Sequence, residues 1–155
     1  MSRPLASLTR SFARGTPTTP LEPAQVSVLP RVVAVLLAGV ALGLSWQPYG
    51  LWPLLLVGIP AFTLAVRGVR PSVAFGLGYL FGMAVLTLAI SWVHVLGTWI
   101  AAVLVIFMSL FFGLLGLTLT LVSRLRWWPL AAACCWVLVE YAYSRIPLGG
   151  FGWTR

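Results

Sequence analysis

The sequence is poor in charge and nearly devoid of acids. It contains no lysine and no aspartate, and its two acids are Glu22 and Glu140. Charged residues make up 8% of the 155 residues, where soluble domains carry about 25%, and 61% of the residues are hydrophobic. A single core cannot cover that much apolar surface, so we expect the bilayer to act as the solvent of this chain.

The scarcity of polar side chains also excludes several kinds of site. The chain has one histidine, His94, and two adjacent cysteines, Cys134 and Cys135, inside an apolar run. These residues supply neither a hydrolytic triad nor a metal site, and nothing in the sequence indicates a cofactor. We expect the cysteines to be small buried apolar residues.

The positive charge does not indicate a nucleic-acid-binding surface. The net charge of +8 arises from ten basic residues, all of them arginine. They are spread over the segments that flank and connect the apolar runs, whereas a nucleic-acid-binding module clusters its basic residues among polar neighbours. In a membrane protein, the positions of such arginines instead indicate which ends of the helices face the cytoplasm.

Five apolar runs predict an all-α integral membrane protein with about five transmembrane helices. The first two runs, at ~1.5 Å per residue, reach roughly 24 Å and predict a short hairpin, with a turn at residues 47–50. The first helix would begin earlier if Pro30 lies in its first turn, and Pro60 would kink the second. The runs cover residues 32–46, 51–66, 72–96, 98–122 and 127–143.

The flanking segments predict three regions and one orientation. Residues 1–31 are rich in arginine and proline and indicate a disordered basic cytoplasmic tail, residues 32–145 a polytopic membrane domain, and residues 146–155 the start of a truncated extracytoplasmic segment. With the N-terminus in the cytoplasm, eight arginines lie inside, and only Arg145 and Arg155 lie outside. We therefore expect a multi-pass protein of a cell membrane.

Small residues recur along the third and fourth runs. Gly78 and Gly82 have the G-x-x-x-G spacing that permits close helix approach, and Gly113 and Gly116 indicate the same on the next run. The alternative is the ordinary enrichment of glycine in membrane helices.

Few polar residues lie near the predicted outer face. Glu140 is costly at membrane depth, and it either anchors loop amides or faces a substrate. Arg145, five residues later, is badly spaced for a helical pair with Glu140 unless the helix ends near Pro147. His94 is either an interfacial hydrogen-bonded residue or a direct participant in function.

Three stretches together resemble one protein family. "LSWQPYGLWPLLLVGIPAF", "FGLGYLFGMAVLTLAISWVHV" and "WVLVEYAYSRIPLGGFGWTR" resemble, in order and spacing, the first hairpin, third helix and fifth helix of apolipoprotein N-acyltransferases. Tyr143 and Gly152 depart from the arginine and proline that the family often has. The resemblance implies a bacterial cell membrane location and transfer of an acyl chain from a phospholipid to the N-terminal S-diacylglyceryl cysteine of lipoproteins.

The resemblance also implies where catalysis occurs. In this family a thioester-forming cysteine, a glutamate base and a lysine lie in a nitrilase-like domain, and a chain without lysine cannot hold that triad. We therefore expect a membrane-domain fragment with no catalytic residue, inactive alone, whose partners are a phospholipid donor and a lipoprotein. Residues 46–52, 92–98 and 149–153 would flank a lateral lipid opening. The lipid- or substrate-contact candidates are Trp92, His94, Glu140, Arg145, Phe151 and Trp153.

Other interpretations remain open. Phe151 and Trp153 suit interfacial anchoring equally well. The chain could be a non-enzymatic scaffold that recruits a partner enzyme through the loops at residues 67–70 or 123–126. A small transporter subunit would need a polar pathway, for which the sequence offers His94 and Glu140.

Overall fold

The structure, a computed structural model, describes residues 28–146, and this part of the chain forms five α-helices without a β-strand. The all-α prediction and the number of helices are confirmed. Two helices, α3 and α4, are long and apolar enough to cross a membrane, and α1 is a shorter apolar helix. The helices are α1 (Val28–Leu44), α2 (Leu55–Ala65), α3 (Pro71–Ala89), α4 (Thr98–Val122) and α5 (Trp128–Tyr143).

Proline and glycine set most of the helix boundaries. Helix α1 begins at Val28, so Pro30 lies in its first turn, where a missing N–H costs nothing. Pro71 and Pro129 likewise lie at the starts of α3 and α5. Between α1 and α2, Gly50 adopts a φ of 65°, which favours glycine, before a 3-10 turn at Trp52–Leu54.

The third helix is shorter than predicted. The α-helix ends at Ala89 instead of continuing to residue 96, and a 3-10 helix follows over Ser91–Leu96. Ile90, just before this 3-10 helix, and Val93 within it are both buried, at 3% and 0% exposure. The segment therefore still packs against the core although the α-helix has ended.

The helices pack around a cluster of aromatic rings. Helix α3 lies between α1 and α4, while α2 packs on α1 and α5 packs on α4. Phe62 of α2 stacks on Phe81 of α3 at 4.0 Å between centroids, and Trp136 of α5 meets both rings edge-on. Trp136 Nε1 also donates a hydrogen bond to Thr63 Oγ1 at 3.1 Å, which connects α5 to α2.

Glycines bring the backbones of α3 and α4 into contact. A Cβ atom on Gly78 would overlap the carbonyl oxygen of Phe112, and one on Gly116 would overlap that of Ala74. A Cβ on Gly82 would lie 2.8 Å from the Cβ of Phe112. The close approach predicted from the G-x-x-x-G spacing is therefore confirmed.

The outer surface of the bundle is apolar. Large hydrophobic side chains are exposed on every helix, for example Leu37 on α1 and Val137 on α5. A surface this apolar suits lipid rather than water.

The expected burial of the cysteines is wrong for Cys134, which is exposed, while Cys135 is half-buried. Helix α5 contacts the bundle along one side only, and Cys134 points away from that side.

Two glycines of α3 provide a matched test of this packing. Gly78→Ala should lower the free energy of unfolding in detergent by roughly 1–3 kcal/mol, because the new Cβ meets rigid backbone. Gly76→Ala should be neutral or stabilising by up to about 1 kcal/mol, since no atom lies within 4 Å of its added Cβ. Thermal unfolding followed by circular dichroism measures both, and equal effects would contradict the interface.

Candidate functional site

The charged side chains divide between the two ends of the bundle. Arg31 donates hydrogen bonds to the carbonyl oxygens of Ala65 and Arg67, at 2.5 and 3.0 Å, so the start of α1 meets the end of α2. The guanidinium of Arg67 lies 4.5 Å from the ring centre of Trp128, at the start of α5. We call this the arginine end, and its arginines are Arg31, Arg67, Arg70, Arg124 and Arg126.

The opposite end holds a cavity that all five helices help to line. Its volume is about 200 Å³, and its walls are mostly aliphatic and aromatic. Glu140 is its one charged lining residue. We call it the Glu140 cavity, and it is lined by Leu42, Trp46, Leu55, Ile59, Val85, Leu86, Phe112, Leu115, Trp136, Val139, Glu140 and Tyr143.

Glu140 lies near the end of α5, with its side chain exposed at the cavity. Its carboxylate accepts no hydrogen bond from residues 28–146, so no loop amide in that range is anchored by it. Tyr143, one turn later, is buried against Phe112, with 6.1 Å between ring centres. The carboxylate is therefore placed at the cavity without a protein partner among the described residues.

Arg145 does not pair with Glu140. Helix α5 ends at Tyr143, and the Arg145 guanidinium lies over the ring of Tyr141, 4.3 Å from its centre. Within residues 28–146 the two opposite charges form no ion pair. The aromatic ring, and not the carboxylate, therefore sets the position of Arg145.

His94 belongs to a different cavity, between α3 and α4. Its Nδ1 donates a hydrogen bond to the carbonyl oxygen of Ser91 at 2.6 Å, which orients the ring. This second cavity, about 250 Å³, is also lined by Thr87 and Thr98. Trp92, from the same 3-10 helix, is half-exposed and lines neither cavity. The structure thus separates His94 from Glu140.

Comparison with known proteins identifies the family. Residues 38–155 match the family model described as the apolipoprotein N-acyltransferase N-terminal domain. The chain belongs to this family. This confirms the resemblance stated from the three sequence stretches.

Two curated relatives carry the same family name. The apolipoprotein N-acyltransferase of Coxiella burnetii is 30% identical over an alignment covering 77% of this chain and 31% of the relative. That of Vibrio cholerae serotype O1 is 29% identical over 81% of this chain and 27% of the relative. The chain therefore spans less than a third of the length of these apolipoprotein N-acyltransferases.

The predicted outer elements of this N-acyltransferase family member are only partly described. Residues 46–52 and 92–98 lie at the same end of the bundle, since Gly43 near the end of α1 lies beside Leu88 near the end of α3. Residues 149–153, with Phe151 and Trp153, lie outside the described residues. Within residues 28–146, no three His, Cys, Asp or Glu side chains come together as a metal site.

Sequence reasoning found only part of the aromatic wall of the Glu140 cavity. Trp46 lies in the predicted segment 46–52, whereas Trp136 and Tyr143 also line the cavity and were not predicted site residues. One signal was available for Trp136, because it lies in the middle of an apolar helix and not near a helix end. The indole N–H of a buried tryptophan needs a hydrogen-bond acceptor, and Thr63, which carries the one hydroxyl group of α2, was a candidate for it.

Proposed function

We propose that this chain is the membrane part of an apolipoprotein N-acyltransferase and that the Glu140 cavity receives an acyl chain of the phospholipid donor. The observation that carries the proposal is an apolar cavity among five helices with one carboxylate at its edge. The transfer itself, to the amino group of the lipidated cysteine of a lipoprotein, uses residues outside residues 1–155.

The size and polarity of the cavity suit part of a lipid. Its volume of about 200 Å³ is smaller than the roughly 300–1,000 Å³ of sites that enclose drug-sized ligands. It therefore takes one segment of an acyl chain and leaves the headgroup outside. Glu140 is costly in the hydrocarbon core, so its end of the cavity lies near the membrane interface, where phospholipid ester groups lie.

The charge distribution supports one orientation in the membrane. We place the arginine end in the cytoplasm and the Glu140 end outside, with all five helices embedded in the membrane. A reporter enzyme that is active only outside the cytoplasm should be active when fused after Ile146. The same reporter fused after Arg126 should be inactive, because that loop belongs to the arginine end. The reverse pattern would overturn this orientation.

Two valines of α5 test the cavity. Val139 lines it, whereas Val137 is 67% exposed on the outer surface. In vesicles that contain a photoactivatable phospholipid, Val139→Phe should reduce labelling of cavity-lining residues several-fold, because the larger ring occupies the space of an acyl chain. Val137→Phe should leave that labelling unchanged. Equal labelling of wild type and Val139→Phe would show that acyl chains do not enter the cavity.

Residues 1–155 should not catalyse transfer alone. The glutamate, lysine and cysteine triad implied by the family resemblance cannot form in a sequence without lysine. The purified chain, in mixed micelles with phospholipid and a diacylated lipoprotein peptide, should give no triacylated product in mass spectrometry. The full-length Vibrio cholerae relative is the positive control. Turnover by residues 1–155 would refute this assignment of catalysis to other residues.

A transport function has less support from the geometry. A transported solute would require polar groups along a continuous passage. The two polar candidates, His94 and Glu140, line different cavities, and the walls around Glu140 are largely apolar.

A further inference from the structure

The arginine end is a basic surface assembled from three separate segments of the chain. Arg31 binds the carbonyl oxygens that end α2, and Arg67 in the following loop lies over Trp128 of α5. Thr120 of α4 donates a hydrogen bond to the carbonyl oxygen of Val69 at 3.1 Å, which joins the same loop to the end of α4. The α2–α3 loop and the α4–α5 loop are thereby held side by side.

No negative charge balances this surface within the described residues. The one acid of residues 28–146, Glu140, lies at the opposite end of the bundle. Arg70, Arg124 and Arg126 are exposed and form no ion pair or side-chain hydrogen bond with residues 28–146. Three guanidinium groups with free donors therefore project from loops that other contacts already hold in place.

The surface beside these arginines is apolar. Leu125 lies between Arg124 and Arg126 in sequence and is exposed, and the next residue, Trp127, is 72% exposed. A soluble anion would gain nothing from these two side chains. An amphipathic anion would place its charge on the arginines and its hydrocarbon against Leu125 and Trp127, so the pattern favours a lipid.

We propose that the arginine end binds an anionic phospholipid. Arg70, Arg124 and Arg126 hold its phosphodiester group, and the part of its acyl chains nearest the headgroup lies against Leu125 and Trp127. This site lies at the opposite end of the bundle from the Glu140 cavity, so it is not the donor site proposed above. Its binding of lipid does not depend on the acyltransferase assignment. It would select lipids by headgroup charge, whereas the cavity accepts a hydrocarbon segment.

Native mass spectrometry of the full chain in an uncharged detergent tests the proposal. Phosphatidylglycerol and phosphatidylcholine with identical acyl chains are titrated separately. We expect tighter binding of phosphatidylglycerol, and the triple variant R70Q/R124Q/R126Q should lose about fivefold in affinity for each arginine removed. Its affinity for phosphatidylcholine should fall much less, because the choline cation offsets the charge of the phosphodiester group in that lipid. Circular dichroism checks that the triple variant keeps its helices.

Two control variants locate the effect. Arg145→Gln removes one arginine from the opposite end, and R3Q/R10Q/R14Q removes the arginines near the N-terminus; both should retain the preference for phosphatidylglycerol. The proposal fails if the two lipids bind equally, or if either control loses the preference as the triple variant does. It also fails if millimolar inorganic phosphate displaces the lipid, since the site would then be one for free anions.

Discussion

The rest of the structure depends on the contact between the backbones of α3 and α4. Helices surrounded by lipid gain little from the hydrophobic effect, so dispersion between closely approaching surfaces must hold them together. Gly78 and Gly116 provide that approach, because each faces a backbone carbonyl group of the other helix with no side chain between. The contact fixes the position of Phe112, which then contributes to both the aromatic cluster and the wall of the Glu140 cavity.

The cavity forms where glycine contacts between helices give way to contacts made by large side chains. Helix α1 also approaches α3 through glycines, with Gly39 close to the backbone of Phe81. Helix α5 has no comparable glycine contact with α3 and reaches the centre of the bundle through the indole of Trp136. Large rings fill the space on the arginine side of Trp136. Towards Glu140 the lining side chains do not close the remaining gap between α5 and the other helices.

Much of the fold could be predicted from the sequence because its helices obey local rules. The fourth helix was predicted at residues 98–122 and is observed there, since a charged loop and Gly97 bound an uninterrupted apolar run. The third helix was predicted too long, because hydropathy does not distinguish an α-helix from a 3-10 helix. The site was harder to predict. Glu140 was conspicuous as an acid, but Trp136 and Tyr143 become cavity residues only through packing that brings five helices together.

The two ends of the bundle differ in how their charges are used. At the arginine end, Arg31 and Arg67 have protein partners and hold loops together. The other three arginines there make no such contact with residues 28–146. At the other end, Arg145 is held by Tyr141, and the carboxylate of Glu140 has no partner among residues 28–146. A chain with so few charges gains no stability from an unpaired acid beside an apolar cavity. Contacts within residues 28–146 therefore do not explain the position of Glu140 at the edge of the cavity.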